Sequence, residues 1–143
     1  MSSFLEIKNN GKLSRQGVRR NGEGWAQGGG VWQWAKDLAV QIYKISDKAA
    51  LGKDFGLRDQ IRRSAVRISS NPAEGDERDT DKESVRFFSV AKGSFAELCT
   101  PLQIAFEIGH IERDTLKSLE RECSQLGKMI GALIKARKEH AGL

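Results

Sequence analysis

Few residues of this chain could do chemistry, and their spacing limits what that chemistry is. Ser94 and Glu97 lie one helical turn apart, close enough to share a face. No histidine or lysine is placed to activate that serine, so no nucleophilic site is built there. Cys99 and Cys123 form no CxxC pair, and His110 and His140 lie away from them. A structural zinc site needs about four ligands at short spacings, so the cysteines are expected to be reduced thiols packed as small apolar groups. Glu74, Asp76, Glu77, Asp79, Asp81 and Glu83 crowd one corner. Their spacing does not fit a calcium-binding EF-hand loop. Carboxylates at the start of a helix explain several of them. The expectation is therefore no enzyme activity, no cofactor and no metal.

What remains is charge. Arg58, Arg62, Arg63 and Arg67 cluster on one stretch, with only Asp59 among them, and Lys36 and Lys44 precede them. Such groups neutralise phosphates and position a nucleic acid without reading its bases. Lysine and arginine number 24 against 19 acidic residues, a net charge of +5, which permits RNA or DNA as a partner without requiring it. The competing reading is structural. Arg62 and Arg63 would pair with Glu74, Glu97 or a neighbouring subunit, and Asn71 would cap or bridge backbone.

These residues need helices to hold them. Val31, Ala35, Leu38, Ile42 and Ile45 recur at spacings of four and three, which predicts a first amphipathic helix. It is expected to end near residues 48–51, closed by Gly52. A second helix begins near residues 54–57 and buries Leu57, Ile61, Ala65 and Ile68. Pro72 removes a backbone donor and disfavours helix at Asn71, so a kink or an early stop is expected there, with Gly75 supplying the turn. Thr80 and Glu83 have the spacing of a capping box and mark the third helix, over about residues 81–108. Its stripe is Phe88, Ala91, Phe95, Leu98, Leu102 and Ala105, with a kink expected at Pro101 and an end at Gly109. Gly93 lies mid-helix, which calls for a close helix contact as compensation. The fourth helix, about residues 113–138, carries Leu116, Leu119, Cys123, Leu126, Ile130, Leu133 and Arg137 as a heptad seam.

The expected fold is all-α, an up-down-up-down four-helix bundle over residues 31–143. Residues 1–30 are expected to form an irregular, basic, glycine-rich N-terminal arm. At 143 residues, with 38% apolar and 30% charged residues, the chain suits one soluble domain with a genuine core. No apolar run approaches the roughly 20 residues of a membrane span. Nor does the N-terminus read as a secretory signal, so a cytoplasmic location without membrane contact is expected.

The helical part resembles a known family. Trp32, Ala35, Leu38 and Ala39 carry the likeness, followed by Gln60, Ile61, Arg62, Arg63, Asn71, Ala73, Glu74, Gly75 and Arg78. It continues through Phe87, Ala91, Gly93, Ser94, Glu97, Leu98, Thr100, Leu102, Ala105, Gly109, Ile111, Gly127 and Leu133. In combination they are similar to the bacterial four-helix-bundle proteins named after the intervening sequences of 23S rRNA genes. More distantly they resemble the accessory variability determinants of diversity-generating retroelements. Pro72 departs from an aliphatic residue, Cys99 from an acid and Pro101 from a glutamine. The resemblance implies a ring-like homo-oligomer, a pentamer, with no established enzyme activity. For the retroelement relatives it implies a basic ring that binds nucleic acid and a reverse transcriptase. The alternative is a protein-interaction scaffold without nucleic acid, for which the helix-four seam and Gly93, Gly127 and Gly131 are the evidence.

Overall fold

The computed structural model describes residues 30–143. The irregular arm expected for the N-terminus lies outside the described residues, except that Gly30 already opens the first helix. Five helices follow: α1 (Gly30–Ser46), the short α2 (Ala49–Lys53), α3 (Phe55–Asp76), α4 (Asp81–Glu107) and α5 (Arg113–Ala141). There is no strand among the described residues. The four long helices are the expected bundle. α3 lies between α1 and α4, α5 packs on α4, and α1 meets α5 over a smaller area.

The core is the four apolar stripes brought together. Trp34, Leu38 and Ile42 of α1 meet Ile61, Ala65 and Ile68 of α3, Phe88, Leu98 and Leu102 of α4, and the seam of α5. That seam is buried from Leu116 to Leu133. Arg137, the last expected member, turns instead to the acidic corner between α3 and α4.

The helix ends follow local chemistry. Thr80 Oγ1 accepts from the Glu83 amide at 3.2 Å and opens α4. At its far end Gly109 adopts φ 84°, and the His110 amide donates back to the Ala105 carbonyl at 2.7 Å. A left-handed glycine is what that closure requires.

Three expectations are corrected. The first helix stops at Ser46 rather than at residues 48–51. The chain then turns through Ala49, at φ 49°, into α2, where Gly52 lies inside a helix. A Cβ on Gly52 would come within 2.7 Å of the Asp47 carbonyl oxygen, so its role is close approach. The second correction is at Pro72, where of the kink or early stop expected the stop does not occur: α3 runs on to Asp76, with the proline buried. Asn71 Nδ2 donates to the Arg67 carbonyl at 3.0 Å, which holds the turn that the proline weakens. Third, Gly75 is not the turn. It lies within α3, where a Cβ would sit 2.9 Å from the Phe88 ring. Glycine there lets α4 press against α3.

α4 runs through Pro101, as the expected helix over about residues 81–108 does. A proline at that position cannot donate to the carbonyl four residues back, which is that of Glu97. Ser64 of α3 takes its place. Its hydroxyl is shared between the Gln60 carbonyl at 2.9 Å and the Glu97 carbonyl at 3.3 Å.

Candidate nucleic-acid interface

The helices do not present the four arginines of α3 as one open patch. Arg62 turns toward α1. Its Nε donates to Ser46 Oγ at 2.8 Å, its Nη2 to the Tyr43 carbonyl at 3.3 Å, and its guanidinium lies 4.6 Å from the Tyr43 ring centre. It therefore closes the C-terminus of α1, where carbonyls lack partners. Arg58 does the same for α2, donating to the Gly52 carbonyl at 3.1 Å while pairing with Asp59 and lying over the Phe55 ring. Arg67 donates to Glu97 Oε2 at 2.8 Å and bridges α3 to α4 on the surface. Only Arg63 of the four is exposed and without a partner among the described residues. On α1, Lys36 pairs with Asp37 at 3.3 Å and lies over the Trp32 ring, whereas Lys44 is exposed.

The residues of the shared motif serve packing. Arg78 pairs with Glu74 and lies 4.5 Å over the Phe87 ring. Ser94 is buried and donates to the Val90 carbonyl of its own helix at 3.0 Å, while Glu97 is engaged by Arg67. The serine and the carboxylate are thus occupied separately. Gly93 is the exception. It is exposed, and a Cβ there would meet nothing within 4 Å, so no described helix of this chain compensates it.

The acidic corner is resolved by α5. Arg137 reaches Asp81 at 3.0 Å and Asp76 at 3.4 Å, and His140 Nδ1 lies 2.5 Å from the second oxygen of Asp81. All three members of the Arg137 cluster have side chains less than one-seventh exposed, at 13%, 7% and 10%. The hydrogen bond from His140, followed by that from Arg137, holds the Asp81 carboxyl below its ordinary range. Burial pushes Asp76 up, with Arg137 opposing. The described residues contain no group of three or more potential metal ligands.

A second basic face lies on α5, where the sequence singles out only the C-terminal cations, Lys135, Arg137 and Lys138, as complementing the negative helix end. Lys117, Arg121, Lys128, Lys135 and Lys138 recur there at steps of four, seven, seven and three, which is one helical face. All five are exposed, and none has an ion-pair partner among the described residues. Lys92 of α4 joins them beside Gly131, its Nζ 3.3 Å from where a Cβ of that glycine would be. Asp114 and Glu139 bound the face at its ends, and Glu120 lies on its margin. At a rise of about 1.5 Å per residue the ridge is about 32 Å long. The spacing was visible in the sequence. The leucine seam on the opposite side of the same helix is the stronger period.

The described residues make an all-α helical bundle with a basic ridge on α5. The chain belongs to the 23S rRNA-intervening sequence protein family, whose model matches residues 29–132. Its fold is similar to that of a protein of unknown function from the S23 ribosomal protein family of Bacteroides thetaiotaomicron, with a TM-score of 0.68 at 22% identity. That similarity covers 73% of this chain and 98% of the other. No curated protein matches the chain.

Proposed function

We propose that this protein is a non-catalytic, homo-oligomeric bundle that binds RNA or DNA through basic helix faces, chiefly the ridge on α5. The observation that carries this reading is the row of five exposed cations from Lys117 to Lys138, without ion-pair partners among the described residues. Free cations in a row displace counterions from a phosphate backbone, and each contact adds affinity without sequence preference. Arg63 and Lys44 remain available elsewhere on the surface, whereas Arg58 and Arg62 are spent on helix ends. Self-association is supported by the outer face of α4, where Val90 and Ile104 are 47% and 45% exposed and Gly93 leaves room for another helix. A second copy is the occupant proposed, in a closed ring of five as the family resemblance implies. Repetition of the ridge around such a ring multiplies a weak site. The proposed setting is the cytoplasm; no helix among the described residues is long and apolar enough to cross a membrane.

The test is a gel shift with structured RNA and duplex DNA. The wild type should bind, and the variant carrying K117Q, R121Q, K128Q and K135Q should lose most of that binding while keeping its helical spectrum. A wild type that binds neither probe leaves the scaffold reading, in which the protein serves only protein partners. Light scattering at micromolar concentration tests the assembly, and a monomeric mass rejects it.

A further inference from the structure

The side chains around the α5 ridge decide which form of nucleic acid suits it. α5 carries no phenylalanine, tyrosine or tryptophan from Arg113 to Ala141. The rings that α4 holds toward α5 are covered. Phe88 and Phe95 are buried, the second against Gly127. Phe106 is partly buried, with the Arg113 guanidinium 5.1 Å from its ring centre. The exposed rings among the described residues, Tyr43 and Phe55, belong to α1 and α3 and lie under Arg62 and Arg58. We infer, on the reading of the ridge as a phosphate-binding surface, that it takes double-stranded nucleic acid in preference to single strands. It grips the backbones and leaves the bases stacked inside the duplex.

Single strands bound without sequence preference are held by a basic groove together with aromatic faces on which bases stack. The ridge offers the first and, among the described residues, not the second. A duplex asks for no such faces, because its bases already stack on one another. It also carries one negative charge per about 1.7 Å of axis, twice the density of either strand counted alone. The ridge is held firmly as well. Leu116, Leu119, Leu126, Ile130 and Leu133 are buried on the other side of α5 and pin the backbone that bears the cations. A row about 32 Å long covers about one turn of a duplex. A duplex stays straight over that length, since its persistence length is about 50 nm. A single strand has to be straightened to follow the row, at a cost in ordering. With α4 packed beside it, α5 is part of a surface wider than the roughly 12 Å major groove, so its cations meet backbones rather than base edges.

Counterion release sets the size of the preference. Each phosphate contact contributes about 0.9 to the salt slope on a B-form duplex and about 0.7 on a single strand. Contacts from Lys117, Arg121, Lys128, Lys135 and Lys138 together give slopes of about 4.5 and about 3.5. With no stacking to favour the single strand, the two forms bind alike at about 1 M salt, where phosphate charge is screened. Each tenfold reduction in salt below that widens the advantage of the duplex by about tenfold.

The experiment titrates the full-length protein against labelled RNA and DNA duplexes of about 20 base pairs, two helical turns, and against each of their strands alone. The strands are chosen without self-complementarity, and binding is read by fluorescence anisotropy. At about 0.1 M salt a duplex should bind about tenfold tighter than its own strands, and the gap should widen as salt falls. A gap for the RNA duplex, the DNA duplex or both supports the inference and tells which duplex the ridge accepts. The combined variant K117Q, R121Q, K128Q and K135Q should lose the gap, whereas Phe55→Ala, which removes an exposed ring, should keep it. Strands that bind as tightly as their duplexes would overturn the inference and leave the proposed nucleic-acid binding standing. A gap that survives removal of the ridge, or that disappears in Phe55→Ala, would overturn it too. A wild type that binds no probe at low salt would overturn both. The wild-type comparison of duplex with strand decides the matter even where the combined variant fails to fold.

Discussion

Arg62 and Arg63 are adjacent, and their side chains have different jobs. Arg62 ties the end of α1 to α3, whereas Arg63 faces outward without a partner among the described residues. Arg62→Gln should therefore destabilise the fold by about 1–2 kcal/mol, because it strips a charge-assisted hydrogen bond and a ring contact. Arg63→Gln should change stability by less than about 0.5 kcal/mol. Urea denaturation of both variants checks this, and equal effects would contradict it. Ser64 gives a sharper residue-scale test. Ser64→Ala strands the Glu97 carbonyl and should cost about 1–3 kcal/mol. Pro101→Ala restores an amide at that carbonyl, so the serine substitution should cost clearly less in that background. Additive effects in the double-mutant cycle would reject the exchange. Glu122 supplies a pH test. One of its oxygens is buried without a hydrogen-bond partner, and burial raises its pKa, with a hydrogen bond from Gln41 opposing. A carboxyl raised in the folded state favours folding when protonated and opposes it once ionised. Glu122→Gln should thus gain stability over the wild type as pH rises from about 4.5 toward neutrality, and the gain should vanish in acid. Melting curves at several pH values would show whether the advantage grows in that direction.

At the scale of the element, the C-terminal turns of α5 are fastened by Arg137. Its removal leaves Asp76 and Asp81 buried with less compensation, so Arg137→Ala should destabilise by about 3 kcal/mol, read by urea denaturation. An effect below about 1 kcal/mol would mean that His140 alone holds the turn. Asp81 works in the opposite sense to Glu122. Its lowered pKa contributes stability above the usual carboxylate range, and that stability fades as pH falls through the folded value. The helices themselves were largely legible in the sequence. Threonine at an N-cap, glycine after α4 and apolar periods of three and four are local signals, and local physics decides them. What was illegible depended on a neighbour. Pro72 lies within α3 rather than ending it, and Asn71 supplies a hydrogen bond beside the gap, as Ser64 of a neighbouring helix does at Pro101, where a helix was expected. Gly75 was read as a turn because its reason, the Phe88 ring, lies across the interface. The seam position of Arg137 obeyed the heptad, but the acids that claim it come from the end of α3 and the start of α4.

The whole molecule joins a core made of four stripes to an outer surface of uneven charge. The candidate site was only partly legible for that reason. A cluster such as Arg58, Arg62, Arg63 and Arg67 looks basic in sequence, yet folding assigns three of its members to Gly52, Tyr43, Ser46 and Glu97. The ridge on α5 survives folding because no acid of a neighbouring described helix reaches it. The central claim is that this ridge neutralises phosphates, and the most direct measurement is fluorescence anisotropy with structured RNA and duplex DNA at a series of salt concentrations. The logarithm of affinity should fall linearly with the logarithm of salt. When ridge lysines become glutamine, the slope should shrink by about 0.9 for each duplex phosphate no longer neutralised, while Arg58→Gln leaves it nearly unchanged. Binding that is absent at low salt, or a slope unaffected by removal of the ridge, would contradict the account.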